Sequence, residues 1–80
     1  MSGHPEPTKR LDCVGLFCPE PLFQTRTAMD ELEVGDTLEL LADDPAADED
    51  IHRFAKRTGH AILEFEEKDG VFRFLLRKEK

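Results

Sequence analysis

The last quarter of the chain carries the signal that decides the fold: residues 60–78 read HAILEFEEKDGVFRFLLRK. Two alternating segments, His60–Glu67 and Val71–Lys78, flank Lys68-Asp69-Gly70. An Asp-Gly pair between such segments is a strong β-hairpin signal. Every second position of the later segment is apolar, which places three side chains on one face of a strand: Phe72, Phe74 and Leu76. The sequence therefore predicts two antiparallel strands here.

The segment before the hairpin predicts a strand followed by a helix. Thr37–Ala42 is short and rich in leucine, and the cluster Asp43-Asp44-Pro45 after it is typical of a helix start. Acidic residues crowd the first turns of this helix, basic residues its last turn, and Gly59 follows as a cap. The apolar stripe of the helix consists of Ala47, Ile51, Phe54, Ala55 and Thr58.

A second strand and helix pair precedes this one. Thr8–Cys13 is a strand candidate with Lys9, Leu11 and Cys13 on one face, and Gly15 permits a turn after it. Pro19–Leu32 has helical periodicity and ends at Val34-Gly35-Asp36. The stripe that would face the core consists of Leu22, Thr25, Ala28, Met29 and Leu32.

The element order is thus βαβαββ, which predicts an α+β two-layer sandwich. Two helical crossovers and one hairpin build a mixed four-stranded sheet with both helices on one face. We expect a single domain at residues 8–80 and a flexible N-terminal tail at residues 1–7, which read MSGHPEP. A chain of 80 residues is too short to enclose a large active site.

The charge of the chain is strongly negative and unevenly distributed. The formal net charge is −7, and positions 30–50 hold ten acidic residues and no lysine or arginine. Contacts with phosphates rely on lysine and arginine, so this composition disfavours direct binding to nucleic acid. A solvated acidic face is the simplest interpretation.

Composition also bears on compartment and cofactors. No segment approaches the ~20 apolar residues of a membrane-spanning helix, and residues 1–10 lack the apolar stretch of a secretory signal. Cys13 and Cys18 form no Cys-x-x-Cys pair, and with the scattered histidines they match no common zinc spacing. We therefore expect a soluble cytoplasmic protein in a reducing compartment, with no membrane partner, metal or cofactor.

The stretch GLFCPEP, residues 15–21, carries the candidate chemistry. Cys18 stands directly before a proline suited to the first position of a helix, so Cys18 is predicted to be the N-cap, with Pro19 first and Pro21 third in the helix. The N–H of Glu20 and the helix dipole are then expected to lower the pKa of Cys18 moderately. Cys18 is predicted to be accessible and reactive, with Gly15 shaping the turn before it.

Several of these motifs together resemble a known family. They are Leu11-Asp12, Gly15-Leu16, the Cys-Pro-Glu-Pro run at 18–21, Ala42-Asp43-Asp44-Pro45 and the ending Leu75-Leu76-Arg77-Lys78. The chain resembles the TusA/SirA-like sulfur carriers over nearly its whole length from Leu11. Cys-Pro-x-Pro after Gly-Leu is quite specific. Phe17 departs from the pattern, since members similar to TusA often have a basic residue there.

The resemblance implies a function and its partners. Cys18 would carry a persulfide, accepted from a cysteine desulfurase or another sulfur donor and passed to an acceptor protein. In characterised members the sulfur goes to tRNA 2-thiouridine, to molybdenum-cofactor maturation or into sulfur oxidation. The implied role is a sulfurtransferase-type carrier within a relay and not an independent enzyme.

Two other functions remain open at the level of sequence. A small thiol-disulfide oxidoreductase would use Cys18 with Cys13 as the resolving thiol across a tight turn. A regulatory module would carry an incidental cysteine. Cys13 is in phase with Leu11, which favours burial, and Pro21 stands where the thioredoxin pattern has its second cysteine.

Helical phase predicts a docking surface beside Cys18. Phe23 lies about 160° from the middle of the buried stripe at 100° per residue, so we expect it to be exposed. Phe17 precedes the helix in the same turn as Cys18. The two rings are predicted to form an apolar docking patch, with Arg26 as a charged contact at its rim. In the competing interpretation, one or both rings fold back onto the core.

Overall fold

The computed structural model describes residues 6–80, and every predicted element is present. In chain order they are β1 (Lys9–Cys13), α1 (Glu20–Glu31), β2 (Thr37–Ala42), α2 (Pro45–Thr58), β3 (Ala61–Lys68) and β4 (Val71–Arg77). Each boundary lies within one residue of its predicted position. The tail predicted at residues 1–7 falls mostly on residues outside the described part of the chain.

The four strands form one mixed sheet in the order β1-β2-β4-β3. β1 and β2 are parallel and are joined by the crossover helix α1, whereas β4 is antiparallel to both of its neighbours. The two helices cover one face, so the predicted α+β sandwich is confirmed. Neither described helix is long and apolar enough to cross a membrane.

The C-terminal hairpin has a tighter loop than the sequence indicated. Lys68 and Val71 already pair, so only Asp69 and Gly70 lie in the loop. Both have positive φ, 53° and 81°. A two-residue turn of this kind requires the left-handed region at both central positions, which explains the Asp-Gly pair.

The core lies between the helices and the inner face of the sheet. Alternate residues of the two central strands are buried there: Leu38, Leu40 and Ala42 from β2, and Phe72, Phe74 and Leu76 from β4. The helices contribute Thr25, Ala28, Met29, Ala47, Ile51, Phe54 and Ala55. These residues belong to the predicted stripes, of which Leu22 and Thr58 are only half-buried, whereas Pro21, which was not predicted, is fully buried.

The other face of the sheet carries charged side chains from all four strands. Arg73 of β4 donates to Glu39 of β2 at 2.8 Å and to Glu64 of β3 at 2.9 Å. Arg10 of β1 reaches Glu39 at 3.2 Å. This ladder of alternating charge suits the solvent side of a two-layer fold.

Candidate functional site

The entry into α1 differs from the prediction. Pro19, not Cys18, is the N-cap, and the helix begins at Glu20 with Pro21 as its second residue. The N–H of Glu20 donates to the carbonyl of Phe17 at 2.9 Å and closes a turn around Cys18 and Pro19, whose peptide bond is cis. That amide therefore does not point at the sulfur as predicted.

The sheet places two loops side by side next to this turn. Cys13 at the end of β1 pairs with Ala42 at the end of β2. Because the carboxyl ends of parallel strands meet at the same edge, the loop after β1, which holds Cys18, begins beside the loop after β2, which holds Asp43 and Asp44. Gly15 has φ of 89° and forms the predicted turn.

Two neighbouring carboxylates hold backbone amides of the cysteine loop. The Oδ1 of Asp43 accepts from the N–H of Gly15 at 2.9 Å, and the Oδ2 of Asp44 accepts from the N–H of Cys18 at 2.7 Å. The Oδ1 of Asp44 also accepts from the N–H of Ala46 at 3.1 Å, which caps α2. Because these amides stabilise the carboxylate, the pKa of Asp44 is lowered.

The electrostatic surroundings of Cys18 are opposite to those predicted. Its side chain is half-buried and packs against the core. Burial, a hydrogen bond with Asp50 and the negative charges of Asp50 and Asp44 raise the pKa of Cys18 to about 11. The expected lowering was wrong because the sequence argument weighed only α1, whereas the acidic groups come from α2 and the residue that caps it. Cys18 is a protonated thiol at neutral pH.

Cys13 lies in a different environment from Cys18, as predicted. It is fully buried on the inner face of the sheet, and its Sγ lies 3.8 Å from the Oε1 of Gln24. Burial and the charges of Asp12 and Glu20 raise its pKa. Both cysteines are free thiols. Cys18 is therefore the more accessible of the two sulfurs.

Large apolar side chains are exposed around the cysteine loop. Phe17 is 79% exposed and Phe23 is 51% exposed, so the predicted exposure of both rings is confirmed. Val14, which the sequence argument did not single out, is 44% exposed. Arg26 is also exposed on α1. Val14 and Phe17 lie in the loop that holds Cys18, and Phe23 lies in the first turn of α1, which follows that loop.

Asp43, Asp44 and Asp50 were not predicted to be partners of the cysteine loop. The available signal was the parallel pairing implied by the first βαβ unit, which brings the loops after β1 and β2 to one edge. From the sequence, the acidic cluster was interpreted as a helix start within a solvated acidic face, and not as a set of contacts to the cysteine loop. Across residues 6–80, no three His, Cys, Asp or Glu side chains are grouped to hold a metal ion.

Comparisons with known proteins agree with the sequence resemblance. The family model of sulfurtransferase TusA matches residues 9–78. A putative sulfur carrier protein of Archaeoglobus fulgidus is 53% identical over 70 residues, which are 86% of this chain and 91% of that protein. The sulfur carrier protein TusA of Allochromatium vinosum is 36% identical over 70 residues, covering 88% and 92% of the two chains.

A solved structure shares the fold. The SirA-like protein of Desulfitobacterium hafniense superimposes with a TM-score of 0.79 at 27% identity, covering 90% of this chain and 99% of that one. The family model spans all six elements of the sandwich and includes the loop that carries Cys18. The chain belongs to the TusA family of sulfurtransferases.

Proposed function

We propose that this protein is a sulfur carrier that accepts a sulfane sulfur on Cys18 as a persulfide and passes it to an acceptor protein. The observation that carries the proposal is the difference between the two cysteines. Cys18 is half-buried in a largely exposed loop, whereas Cys13 is fully buried. The names of the relatives, which are sulfur carriers, support the same role.

Loading is a sulfur transfer between two thiols. The Cys18 thiolate attacks the outer sulfur of a donor persulfide, a new S–S bond forms at Cys18, and the donor cysteine leaves as a thiolate. Because the pKa of Cys18 is about 11, the proton must first pass to a base supplied by the donor or by solvent. The free carrier is therefore weakly reactive until it meets its donor.

Unloading reverses these roles. An acceptor thiolate attacks the outer sulfur of the persulfide, and Cys18 leaves as a thiolate. A thiol of high pKa is a poor leaving group, so the persulfide is held until the acceptor is in place. Attack by an internal thiol would instead release hydrosulfide. The burial of Cys13, and proline at position 21, oppose that loss.

The biological setting follows from this role. The carrier domain spans residues 8–80 and acts in the cytoplasm, where a reducing environment keeps both thiols free. A cysteine desulfurase or another persulfide enzyme supplies the sulfur. The acceptor belongs to tRNA 2-thiouridine formation, molybdenum-cofactor maturation or sulfur metabolism, and no step requires direct contact with nucleic acid.

Incubation with a cysteine desulfurase and cysteine is expected to add one sulfur atom to the protein, and dithiothreitol is expected to remove it. Intact-protein mass spectrometry measures both changes. Insulin reduction coupled to a thiol donor is the control, because an oxidoreductase would be active and a carrier would not. An unchanged mass, or clear insulin reduction, would contradict the proposal.

The exposed rings of Phe17, in the loop of Cys18, and of Phe23, in the first turn of α1, support a docking surface for partner proteins. Exposed aromatic rings beside a reactive group are typical of interaction hot spots, since their burial on binding supplies much of the affinity. Arg26, exposed on the same helix, would add a polar contact at the rim. A partner that covers this surface brings its own cysteine close to Cys18.

Phe23→Ala is expected to weaken binding to the desulfurase by more than about 1 kcal/mol, with little change in melting temperature. Val34→Ala is the matched control, because Val34 is 65% exposed in the loop before β2, at the opposite end of the sheet. Calorimetric titration and thermal unfolding provide the two measurements. A large fall in the melting temperature of Phe23→Ala, or equal loss of binding in both variants, would refute the docking surface.

A further inference from the structure

The backbone of Cys18 is tied to a helix other than the one that follows it in sequence. Its N–H donates to the Oδ2 of Asp44 at 2.7 Å, at the short end of the range for bonds to a charged acceptor. Asp44 is the N-cap of α2, where its Oδ1 accepts from Ala46. One carboxylate thus bridges the cysteine loop and the start of α2.

The bridge uses both oxygens of the side chain, which restricts the residues that fit position 44. Serine, threonine, asparagine and aspartate all cap helices well. Only a carboxylate offers two acceptor oxygens, one for Ala46 and one for Cys18. Capping alone therefore does not account for aspartate here, because asparagine or serine would cap α2 equally well.

The neighbouring carboxylate fixes the same loop at a second point. Asp43 accepts from Gly15, three residues before Cys18. The loop is thus held at both ends against the β2–α2 connection, and the cysteine sulfur lies against the core at the junction of the two. Sulfur transfer depends on the placement of the reacting sulfur, since misplacement by about 1 Å can cost a factor of about 100 in rate.

We propose that Asp44 is a positioning residue for sulfur transfer: its carboxylate anchors the backbone of Cys18 to the N-terminus of α2 and so fixes the place from which the sulfur is received and delivered. This rests on the proposed carrier function. Asp44 touches neither the donor nor the sulfur in this role and acts through the amide of Cys18. Asp43 supports the arrangement through Gly15.

Asp44→Asn tests the bridge with minimal change in shape. Asparagine keeps one acceptor oxygen for the helix cap and presents an N–H₂ donor to the other amide, so one of the two bonds is lost. Asp36→Asn is the matched control, because Asp36 accepts one backbone amide, that of Glu33 at 2.9 Å, in the loop between α1 and β2. The Asp36→Asn variant loses the same negative charge, and its remaining acceptor oxygen keeps the single hydrogen bond from Glu33. Asp44→Ser repeats the test with a different capping side chain.

Three measurements separate positioning from simple capping. In both Asp44 variants, hydrogen exchange of the Cys18 amide should quicken by at least about tenfold, since one bond to a charged group is lost. Single-turnover sulfur transfer from the loaded carrier should slow by at least about tenfold. The pH profile of Cys18 alkylation should move to lower pH, because Asp50, Cys13 and Asp44 face this thiol and only the Asp44 charge is removed. The melting temperatures of both Asp44 variants should stay near that of the wild type. Asp36→Asn should match the wild type in all three measurements.

The possible outcomes distinguish this inference from the carrier function itself. Faster amide exchange with slower transfer supports the positioning role. Wild-type exchange of the Cys18 amide in folded Asp44→Asn and Asp44→Ser overturns it, whether or not the protein carries sulfur. Faster exchange with unchanged transfer also overturns it, because the bond then exists without a role. Failure of the wild-type protein to load would reject the carrier function, while the exchange measurement would still decide the bridge.

Discussion

Phe74→Ala is expected to lower the free energy of unfolding by about 3–5 kcal/mol, the usual cost of removing a buried phenylalanine. Phe74 is fully buried in the central strand β4, where it pairs with Leu40 on one side and Phe65 on the other. Its ring centroid lies 4.9 Å from that of Phe65 and 5.3 Å from that of His52. The substitution therefore leaves a cavity where strands and helix meet.

The loss is large for a chain of this size. At about 0.05–0.15 kcal/mol per residue, 80 residues give roughly 4–12 kcal/mol of total stability. Urea unfolding followed by far-UV circular dichroism measures the change, since the chain has no tryptophan or tyrosine for fluorescence. Phe17→Ala, at a ring that is 79% exposed, should shift stability by less than about 0.5 kcal/mol. If Phe74→Ala lowers the free energy of unfolding by less than about 1 kcal/mol, Phe74 does not lie in the core as described.

The elements with strong local signals were predicted almost to the residue. Asp69-Gly70 specifies the hairpin loop because its backbone needs positive φ at both positions. Asp44 and Gly59 delimit α2 because one caps its first amides and the other adopts the left-handed conformation at its end, with φ of 82°. Such signals depend only on residues within one turn, so they are visible in the sequence alone.

The site was predicted less well because its geometry depends on contacts between distant residues. Cys18 was predicted to cap α1, but the amide of Cys18 is held by Asp44, which is 26 residues away. The amide of Glu20 is occupied by the carbonyl of Phe17. The Cys-Pro-Glu-Pro run is enough to propose Cys18 as the reactive residue, whereas the hydrogen-bond partners of Cys18 depend on which strands lie side by side.

The predicted shift in the pKa of Cys18 had the wrong direction for the same reason. A helix N-terminus contributes a modest local effect, and the prediction rested only on the groups at the start of α1. The fold brings Asp44 and Asp50 to the thiol, and burial adds to their effect. A half-buried thiol among carboxylates stays protonated. This is consistent with the carrier role proposed above, in which the reactivity of Cys18 depends on the partner.

Cys18→Ser is expected to abolish sulfur loading completely, whereas Cys13→Ser should load as the wild type does. The reason is structural: the side chain of Cys18 is only half-buried in its loop, and that of Cys13 is fully buried beside Gln24. Cys13→Ser should fold with at most a modest loss of stability. Spontaneous release of hydrosulfide from loaded wild type, with a disulfide between the two cysteines, would instead favour the oxidoreductase.

The most direct test is intact-protein mass spectrometry of wild type, Cys13→Ser and Cys18→Ser after incubation with a cysteine desulfurase and cysteine. Both variants should retain the circular dichroism spectrum of the folded wild type. We predict one additional, dithiothreitol-sensitive sulfur atom on wild type and Cys13→Ser and none on Cys18→Ser. Equal loading of Cys18→Ser and wild type would contradict the assignment of the persulfide to Cys18.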